Sequence, residues 1–249
     1  MRRVPAPVAV SCRLHPLPDP RRTSHLRFWA LLVQFLAVNW LIARFFQWVV
    51  RACDLNNAAR TYYSDIAENG FGPAVGNLVL NWIPQALLVC CTCWVFLRLV
   101  HADPRAALTL RVRKSGAWLI PTGMLLLLLY QLAVRHDRFD ADAARGGCGL
   151  AFIGAYTLRF LPSALVEEMV FRGTLFASLE RRYGAWVGFA VSVPLFGLAH
   201  LYGGWWLFAN ALILGSGFTL VDRRTRSLGV VTILHLFGNV TYACLNYLD

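Results

Sequence analysis

The chain has 249 residues, of which 57% are hydrophobic and 15% are charged, and its formal net charge is +11. Soluble domains carry about 25% charged residues, so this deficit excludes an ordinary soluble domain and indicates a protein whose surface faces lipid. The arginines are clustered between apolar runs, a pattern that favours membrane topology signals and contact with anionic headgroups over binding of nucleic acid.

The first 27 residues are basic and Pro-rich, and they lack the apolar run of roughly 7–15 residues that a cleavable signal peptide requires. We therefore expect a cytoplasmic tail at 1–27, followed by a retained first span. The rest of the chain divides into N-terminal transmembrane helices at 28–148 and a membrane core at 149–249, where the polar motifs are concentrated.

Apolar segments long enough to approach the ~20 residues of a membrane-spanning helix follow one another along the chain. The candidate spans are Phe28–Val50, Ala74–Val100, Gly116–Val134, Gly149–Val166, Ala185–Leu201, Trp205–Val221 and Leu228–Tyr247. They predict an all-α, multi-pass transmembrane bundle of about seven spans. The fourth continues without a stop into Glu167–Arg182, and Pro162 is expected to break or bend it.

Basic and balanced loops alternate between these spans, which places the N-terminus in the cytoplasm by the positive-inside rule. The arginine-rich composition and short loops favour a bacterial inner membrane.

The first group of ionisable residues within the core is Glu167, Glu168 and Arg172. Ionisable groups inside membrane spans are costly, so each is a functional candidate. Glu168 and Arg172 are four residues apart and are expected to pair on one helix face. Glu167 is rotated by about 100° from Glu168, so it points elsewhere and has no partner nearby in the sequence. Snorkelling of all three charges to the cytoplasmic end of the helix is the structural alternative.

Two further motifs place polar side chains in apolar helices. Phe196 and His200 are four residues apart, as are His235 and Asn239. Each histidine alone has a structural explanation: a helix-end histidine, or an interhelical hydrogen bond within the bundle. Together with Glu167 they offer a base, two imidazoles and an amide, which are the groups that peptide hydrolysis needs to activate water and stabilise an oxyanion.

One difficulty concerns depth in the membrane. In the simple topology His235 lies near the inner face, whereas His200 lies near the outer end of its span. The two histidines meet only if the fifth span is short, tilted, displaced, or kinked at Pro194.

The three motifs, in this order, resemble those of the CPBP family of intramembrane proteases, the CAAX-protease and bacteriocin-processing group. The matching residues are Glu167-Glu168-xxx-Arg172, Phe196-xxx-His200 and His235-xxx-Asn239, and the resemblance covers about Leu161 to Tyr247. It implies that Glu167 activates water with help from His200, and that His235 and Asn239 stabilise the oxyanion. Glu168, Arg172 and Phe196 would then support the site structurally.

The resemblance implies a membrane-associated peptide or protein as the substrate, a prenylated CAAX tail in some relatives and a bacteriocin or leader peptide in others. Relatives have been described both as zinc enzymes and as metal-independent glutamate enzymes. Zinc would take about three protein ligands, which Glu167, His200 and His235 could supply. Asn239 is a poor zinc ligand but a good oxyanion donor, which favours the metal-free hypothesis.

Two other functions are compatible with these residues. Buried glutamate and histidine also serve transporters and proton relays, although the ionisable residues here are concentrated in one half of the chain. A non-catalytic scaffold or immunity protein of the same family is the second alternative, and it would be expected to lack a motif residue.

Overall fold

The computed structural model describes residues 23–52, 78–112, 114–134 and 150–247. Every regular element within these ranges is helical, so the predicted all-α class is confirmed. Most of the predicted tail, the start of the second predicted span, and the predicted loops that follow the first and third spans lie outside the described residues.

The described part of the N-terminal half contains three long or medium helices and two short ones. Helix α1 spans His25–Ala52, and a π-helical segment, Leu78–Trp82, leads directly into α2, Ile83–Leu99. The short helices α3, Pro104–Ala107, and α4, Lys114–Ala117, precede α5, Leu119–Val134.

The C-terminal half begins with a long helix whose hydrogen-bonding pattern changes along its length. Helix α6, Leu150–Glu168, continues through a π-helical segment, Met169–Phe176, into α7, Ala177–Tyr183. Three helices follow: α8 at Ala185–Ala199, α9 at Gly204–Thr225 and α10 at Leu228–Tyr247, with one 3-10 turn, Leu201–Gly203, between α8 and α9.

Pro162 lies inside α6 and does not break it, so the break offered for this position is wrong. The irregularity comes one to two turns later, at the π-helical segment that directly follows Glu168. π-Helical insertions are rare and are frequently found at functional sites, because the extra residue per turn re-aims the side chains around it.

Within the described ranges, four helices are long and apolar enough to cross a membrane: His25–Ala52, Leu78–Leu99, Leu201–Thr225 and Leu228–Leu245. Leu119–Val134 and Ala185–Ala199 are shorter apolar helices, and the fourth predicted span lies in α6. Helices thus occupy the described parts of all seven predicted spans. The chain is a multi-pass helical membrane protein, and the number seven stays a prediction.

Two apolar clusters hold the bundle together. The larger one joins α1 and α2 to the π-helical segment and α7 through residues such as Phe35, Phe96 and Leu175. The smaller one joins α5, α9 and α10 around Phe218 and Leu234. Many large apolar side chains outside these clusters are exposed on the helices, as expected for surfaces that contact lipid tails.

Helix α10 begins inside the bundle and not at its surface. Residues 227–232 are all buried, and the amide of Leu228 donates to the carbonyl of Thr109 at 3.0 Å. A β-carbon at Gly229 would collide with the carbonyl oxygen of Leu110, so only glycine permits this approach. The segment before α4 therefore covers the start of α10.

Candidate active site

Glu167 lies between the two histidines that the motifs singled out. Its Oε2 atom is 3.5 Å from Nε2 of His200 and 3.7 Å from Nε2 of His235. Its other oxygen, Oε1, accepts a hydrogen bond from the hydroxyl of Ser163 at 3.0 Å. Oε2 itself is buried and has no hydrogen-bond partner. One carboxylate oxygen is thus held in place, and the other faces both imidazoles.

Ser163 was missed by the sequence reasoning, and the expectation that Glu167 has no partner nearby in the chain is wrong. Ser163 precedes Glu167 by four residues, the spacing at which side chains meet on one helix face. The same spacing rule that paired Glu168 with Arg172 would have found it.

Glu168 forms a second, fully buried layer beneath this site. Its Oε1 atom accepts from Nη1 of Arg172 at 3.1 Å and lies 2.7 Å from Nδ1 of His235. Neither Glu168 nor Arg172 is more than 1% exposed, whereas the Glu167 side chain is 25% exposed. Neighbouring residues on one helix therefore have different surroundings: Glu168 is enclosed in the bundle and Glu167 faces a more open space.

The contact between Glu168 and His235 determines the orientation of the imidazole ring. An ionised carboxylate only accepts hydrogen bonds, so Nδ1 of His235 must be the donor. Nε2 then points towards Glu167. The ring of His235 is also stacked on Phe218, with the ring centroids 5.1 Å apart. A carboxylate and an aromatic ring thus hold the imidazole in one orientation, as supporting residues do at many functional sites.

His200 is held in a different way, by the last turn of α8. It is the residue that ends this helix, and its Nδ1 atom is 2.8 Å from the carbonyl oxygen of Phe196. Because a carbonyl oxygen only accepts, Nδ1 carries the proton, and Nε2 faces Glu167. The two histidines therefore present the same ring nitrogen to the same carboxylate oxygen.

The main difficulty of the sequence interpretation was the depth of His200, and a short α8 accounts for it. Helix α8 has 15 residues and contains Pro194, so it ends before it would cross a full bilayer. The Nε2 atoms of His200 and His235 lie 3.5 Å and 3.7 Å from the same oxygen of Glu167. Both histidines reach Glu167.

Arg172 is the centre of a buried cluster behind the two glutamates. Its Nη2 atom donates to the carbonyl of Gly215 at 3.1 Å, and its guanidinium carbon lies 4.2 Å from the centroid of the Phe196 ring. This cation–π contact, the carbonyl and the carboxylate of Glu168 together compensate the burial of the charge. Gly215 allows the approach, because a β-carbon there would lie 2.8 Å from Phe196 and 3.3 Å from Nη2 of Arg172.

Phe196 connects this cluster to the histidines. Its ring centroid is 4.5 Å from that of His200 and 6.1 Å from that of His235. It also packs edge-on against Phe171 at 5.1 Å. One aromatic ring thus contacts the guanidinium of Arg172 and both imidazoles.

Asn239 lies on α10, one turn after His235, and is half-buried. Among the described residues its side chain makes no hydrogen bond, and no contact joins it to Glu167, His200 or His235. The structure thus brings together three of the four predicted catalytic residues and leaves the fourth one turn away.

The zinc ligand set of Glu167, His200 and His235 stays a prediction. In the part of the chain that the structure describes, no group of three or more His, Cys, Asp or Glu side chains is placed to hold a metal ion. The three side chains do meet, with Oε2 of Glu167 3.5 Å and 3.7 Å from Nε2 of the two histidines.

Comparison with protein families finds a match for the part of the chain that carries the site. Residues 149–241 match the family described as "Rce1-like: Type II CAAX prenyl endopeptidase Rce1-like". These residues form an Rce1-like region. No curated protein and no solved structure matches the chain.

The Rce1-like region contains every residue of the site described above, from Ser163 on α6 to Asn239 on α10. Helices α1, α2 and α5 precede it and pack against it through the two apolar clusters. The family resemblance inferred from the three motifs is confirmed by this match. The match and the apolar helices support a CAAX-type protease that is an integral membrane protein.

Proposed function

We propose that this chain is an intramembrane endopeptidase in which Glu167 activates a water molecule to hydrolyse a peptide bond of a membrane-associated protein or peptide. The observation that carries this proposal is the position of Glu167 Oε2, which is buried, unpaired and faced by Nε2 of both His200 and His235. A base and two imidazoles around one oxygen atom are what hydrolysis by activated water requires.

The water molecule of this proposal bonds to Oε2 of Glu167. The distances of 3.5 Å and 3.7 Å from Oε2 to the two imidazoles are longer than a good hydrogen bond, so neither histidine occupies this oxygen fully. A small separation of the side chains on substrate binding would let the water bond to Oε2 and to one imidazole. Ser163 fixes the carboxylate through its other oxygen, which leaves Oε2 free to accept the proton of that water.

The reaction then follows from the positions of the groups. Glu167 takes a proton from water, and the resulting hydroxide attacks the carbonyl carbon of the substrate. The imidazole of His235, in its protonated form, donates from Nε2 to the oxyanion, while Asn239 is proposed as a second donor. Glu167 then passes its proton to the nitrogen of the departing amine, which breaks the peptide bond.

Glu168 and Arg172 have a positioning role in this scheme. Glu168 holds the Nδ1 side of His235, and Arg172 compensates the charge of Glu168 at 3.1 Å. Without Arg172 the carboxylate of Glu168 would be buried with only an imidazole as partner, which is unfavourable in a low-dielectric interior.

The decisive experiment compares wild-type protein with Glu167→Gln in liposomes, using a fluorescent peptide anchored by a prenyl group and ending in a CAAX sequence. Wild-type protein is expected to cleave the peptide, and loss of the general base is expected to lower the rate by about 10²–10⁴-fold. Glu180→Gln is the matched control, because Glu180 lies on α7 and pairs with Arg223 and Arg226, away from the site.

Equal cleavage by wild-type protein and Glu167→Gln would overturn the proposed mechanism. Absence of cleavage by the wild-type protein on prenylated and unprenylated peptides alike would favour the scaffold or the transporter alternative. Incubation with a strong chelator tests the metal-free form of the proposal, for which unchanged activity is expected. Loss of activity that added zinc restores would contradict it.

We also propose that the N-terminus and the basic end of the bundle face the cytoplasm of a bacterial cell. The chain would then consist of a cytoplasmic tail at 1–27, N-terminal transmembrane helices at 28–148 and a membrane core at 149–249. The short helix α3, the segment after it and the last turn of α9 carry Arg105, Arg111, Arg223 and Arg224, in keeping with the positive-inside rule. An epitope tag before Met1 should be digested by protease in inverted inner-membrane vesicles and protected in intact spheroplasts. The reverse pattern would contradict this orientation.

A further inference from the structure

A cavity lies at the basic end of the bundle, apart from the candidate active site. Its volume is about 720 Å³, and its walls are the end of α2, the segment around α3, helix α7 and Arg226. Ser178, on its wall, follows Glu167 by eleven residues of continuous helix, or roughly 16 Å along the axis. The proposed catalytic groups therefore do not line this cavity.

The lining of this cavity carries an excess of positive charge. Arg105, Arg111, Arg181 and Arg226 line it, against two carboxylates, Asp103 and Glu180. The Glu180 carboxylate forms ion pairs with Arg226 and with Arg223, at 3.3 Å for the latter, so its charge is compensated within the protein.

The other acid, Asp103, has a local structural task. Its carboxylate accepts from the backbone amide of Arg105 at 3.0 Å and caps α3. The side chains of Arg105 and Arg111 are exposed, and no ion pair of either is found within the described ranges. Two guanidinium groups are thus available to an anion from outside the protein.

A buried hydroxyl points to the same conclusion independently. Ser178 is 4% exposed and lines the cavity, and its Oγ atom has no hydrogen-bond partner. Buried polar groups in proteins are nearly always hydrogen-bonded, so the unpaired Ser178 hydroxyl leaves one donor beside this cavity for a ligand that accepts its proton.

The remaining walls are apolar, with Leu97, Ala102, Ala106 and Ala107 beside the charged groups. A small inorganic anion would use only the charged part of such a cavity. An anionic phospholipid would use both parts, its phosphate against the guanidinium groups and its glycerol and first acyl carbons against the apolar wall. Basic cavities between helices at the membrane surface bind such headgroups.

We infer that this cavity binds the phosphate headgroup of an anionic phospholipid. Arg105 and Arg111 supply guanidinium donors to the phosphate oxygens, a geometry for which arginine is well suited. Ser178, on α7, donates its hydroxyl hydrogen to the same phosphate group. The cavity borders α7, which is continuous with the π-helical segment and the glutamates of α6, so a bound lipid would contact the helix that carries the candidate active site.

Native mass spectrometry tests this inference. The full chain is released from a neutral detergent, and its retention of phosphatidylglycerol is compared with that of phosphatidylcholine of equal acyl-chain length. Wild-type protein is expected to retain phosphatidylglycerol in preference to phosphatidylcholine. Each arginine at a membrane surface strengthens binding about five-fold, so Arg105→Gln/Arg111→Gln should weaken phosphatidylglycerol binding by about 25-fold. Arg44→Gln/Arg51→Gln, on α1, is the charge-matched control and should bind as the wild type does.

Ser178→Ala provides a second variant that keeps every charge and removes only the hydroxyl. It is expected to weaken phosphatidylglycerol binding by about five-fold, the usual effect of one lost hydrogen bond. Circular dichroism melting establishes that each variant is folded. Should the double arginine variant fail to fold, the result for Ser178→Ala decides the question.

Three results would overturn the inference. The first is phosphatidylglycerol binding that is equal in the double arginine variant, Ser178→Ala and the charge-matched control. The second is equal retention of phosphatidylcholine. The third is displacement of the lipid by millimolar inorganic phosphate, which would identify a site for a free anion and not for a lipid.

Discussion

Replacement of Gly215 by alanine tests how tightly the buried cluster supports the candidate active site. Gly215 lies on α9, directly beside Arg172 and Phe196. The added β-carbon would lie 2.8 Å from Cδ1 of Phe196, a separation that real β-carbons essentially never show, and 3.3 Å from Nη2 of Arg172. Phe196 contacts His200 with ring centroids 4.5 Å apart, so a shift of its ring is passed on to the imidazole.

The expected change in the free energy of unfolding of Gly215→Ala combines two opposing effects. Overpacking of one extra carbon in a close-packed interior costs about 1–3 kcal/mol. Alanine also favours the helix over glycine by about 1 kcal/mol. Gly217→Ala is the matched control, because Gly217 lies on the same helix, is exposed, and would place its β-carbon in open space. The helix propensity effect cancels between the two variants, so their difference isolates the overpacking.

One assay of stability and one of activity test this prediction. Thermal or denaturant unfolding in detergent is expected to show Gly215→Ala less stable than Gly217→Ala by about 1–3 kcal/mol. Cleavage of the prenylated peptide is expected to fall by up to about 10²-fold in Gly215→Ala, since a misplacement of about 1 Å at a catalytic group has an effect of that size. Equal stability and equal activity of the two variants would refute the view that Gly215 makes room for the buried cluster.

Three further variants separate structural from catalytic roles. Arg172→Met leaves the Glu168 carboxylate buried without its cation and should destabilise the fold by about 3–5 kcal/mol, measured by unfolding in detergent; an unchanged midpoint would contradict the buried pair. Ser163→Ala removes the hydrogen bond to Glu167 and should lower the cleavage rate by about ten-fold, with little change in melting temperature; full activity would show that this bond does not orient the base. Asn239→Ala should lower the rate by about 10²–10³-fold while stability stays unchanged, since its side chain makes no hydrogen bond to other described residues; retained activity would remove Asn239 from the proposed mechanism.

The amino-acid sequence alone was sufficient for the membrane class, the helical fold and the family resemblance of residues 149–241. The composition and the length of the apolar segments indicate a lipid environment directly, because stretches of about 20 apolar residues have few other stable arrangements. The pairing of Glu168 with Arg172 was also predictable, since it depends on spacing within one helix. Ser163 and Glu167 obey the same local rule, and their contact was accessible from the sequence although it was overlooked.

Contacts between helices required the tertiary structure. The sequence separation of Glu168 on α6 and His235 on α10 contains no information about their 2.7 Å contact. This contact depends on where α10 starts relative to the segment before α4, which packs against it through Thr109. The same holds for the carbonyl of Gly215, which accepts from Arg172 across 43 residues. The convergence of His200 and His235 on one oxygen of Glu167 depends on where α8 ends and on how α10 packs within the bundle. Both are consequences of packing, because sequence periodicity reports the face of a helix but not its depth in the bundle.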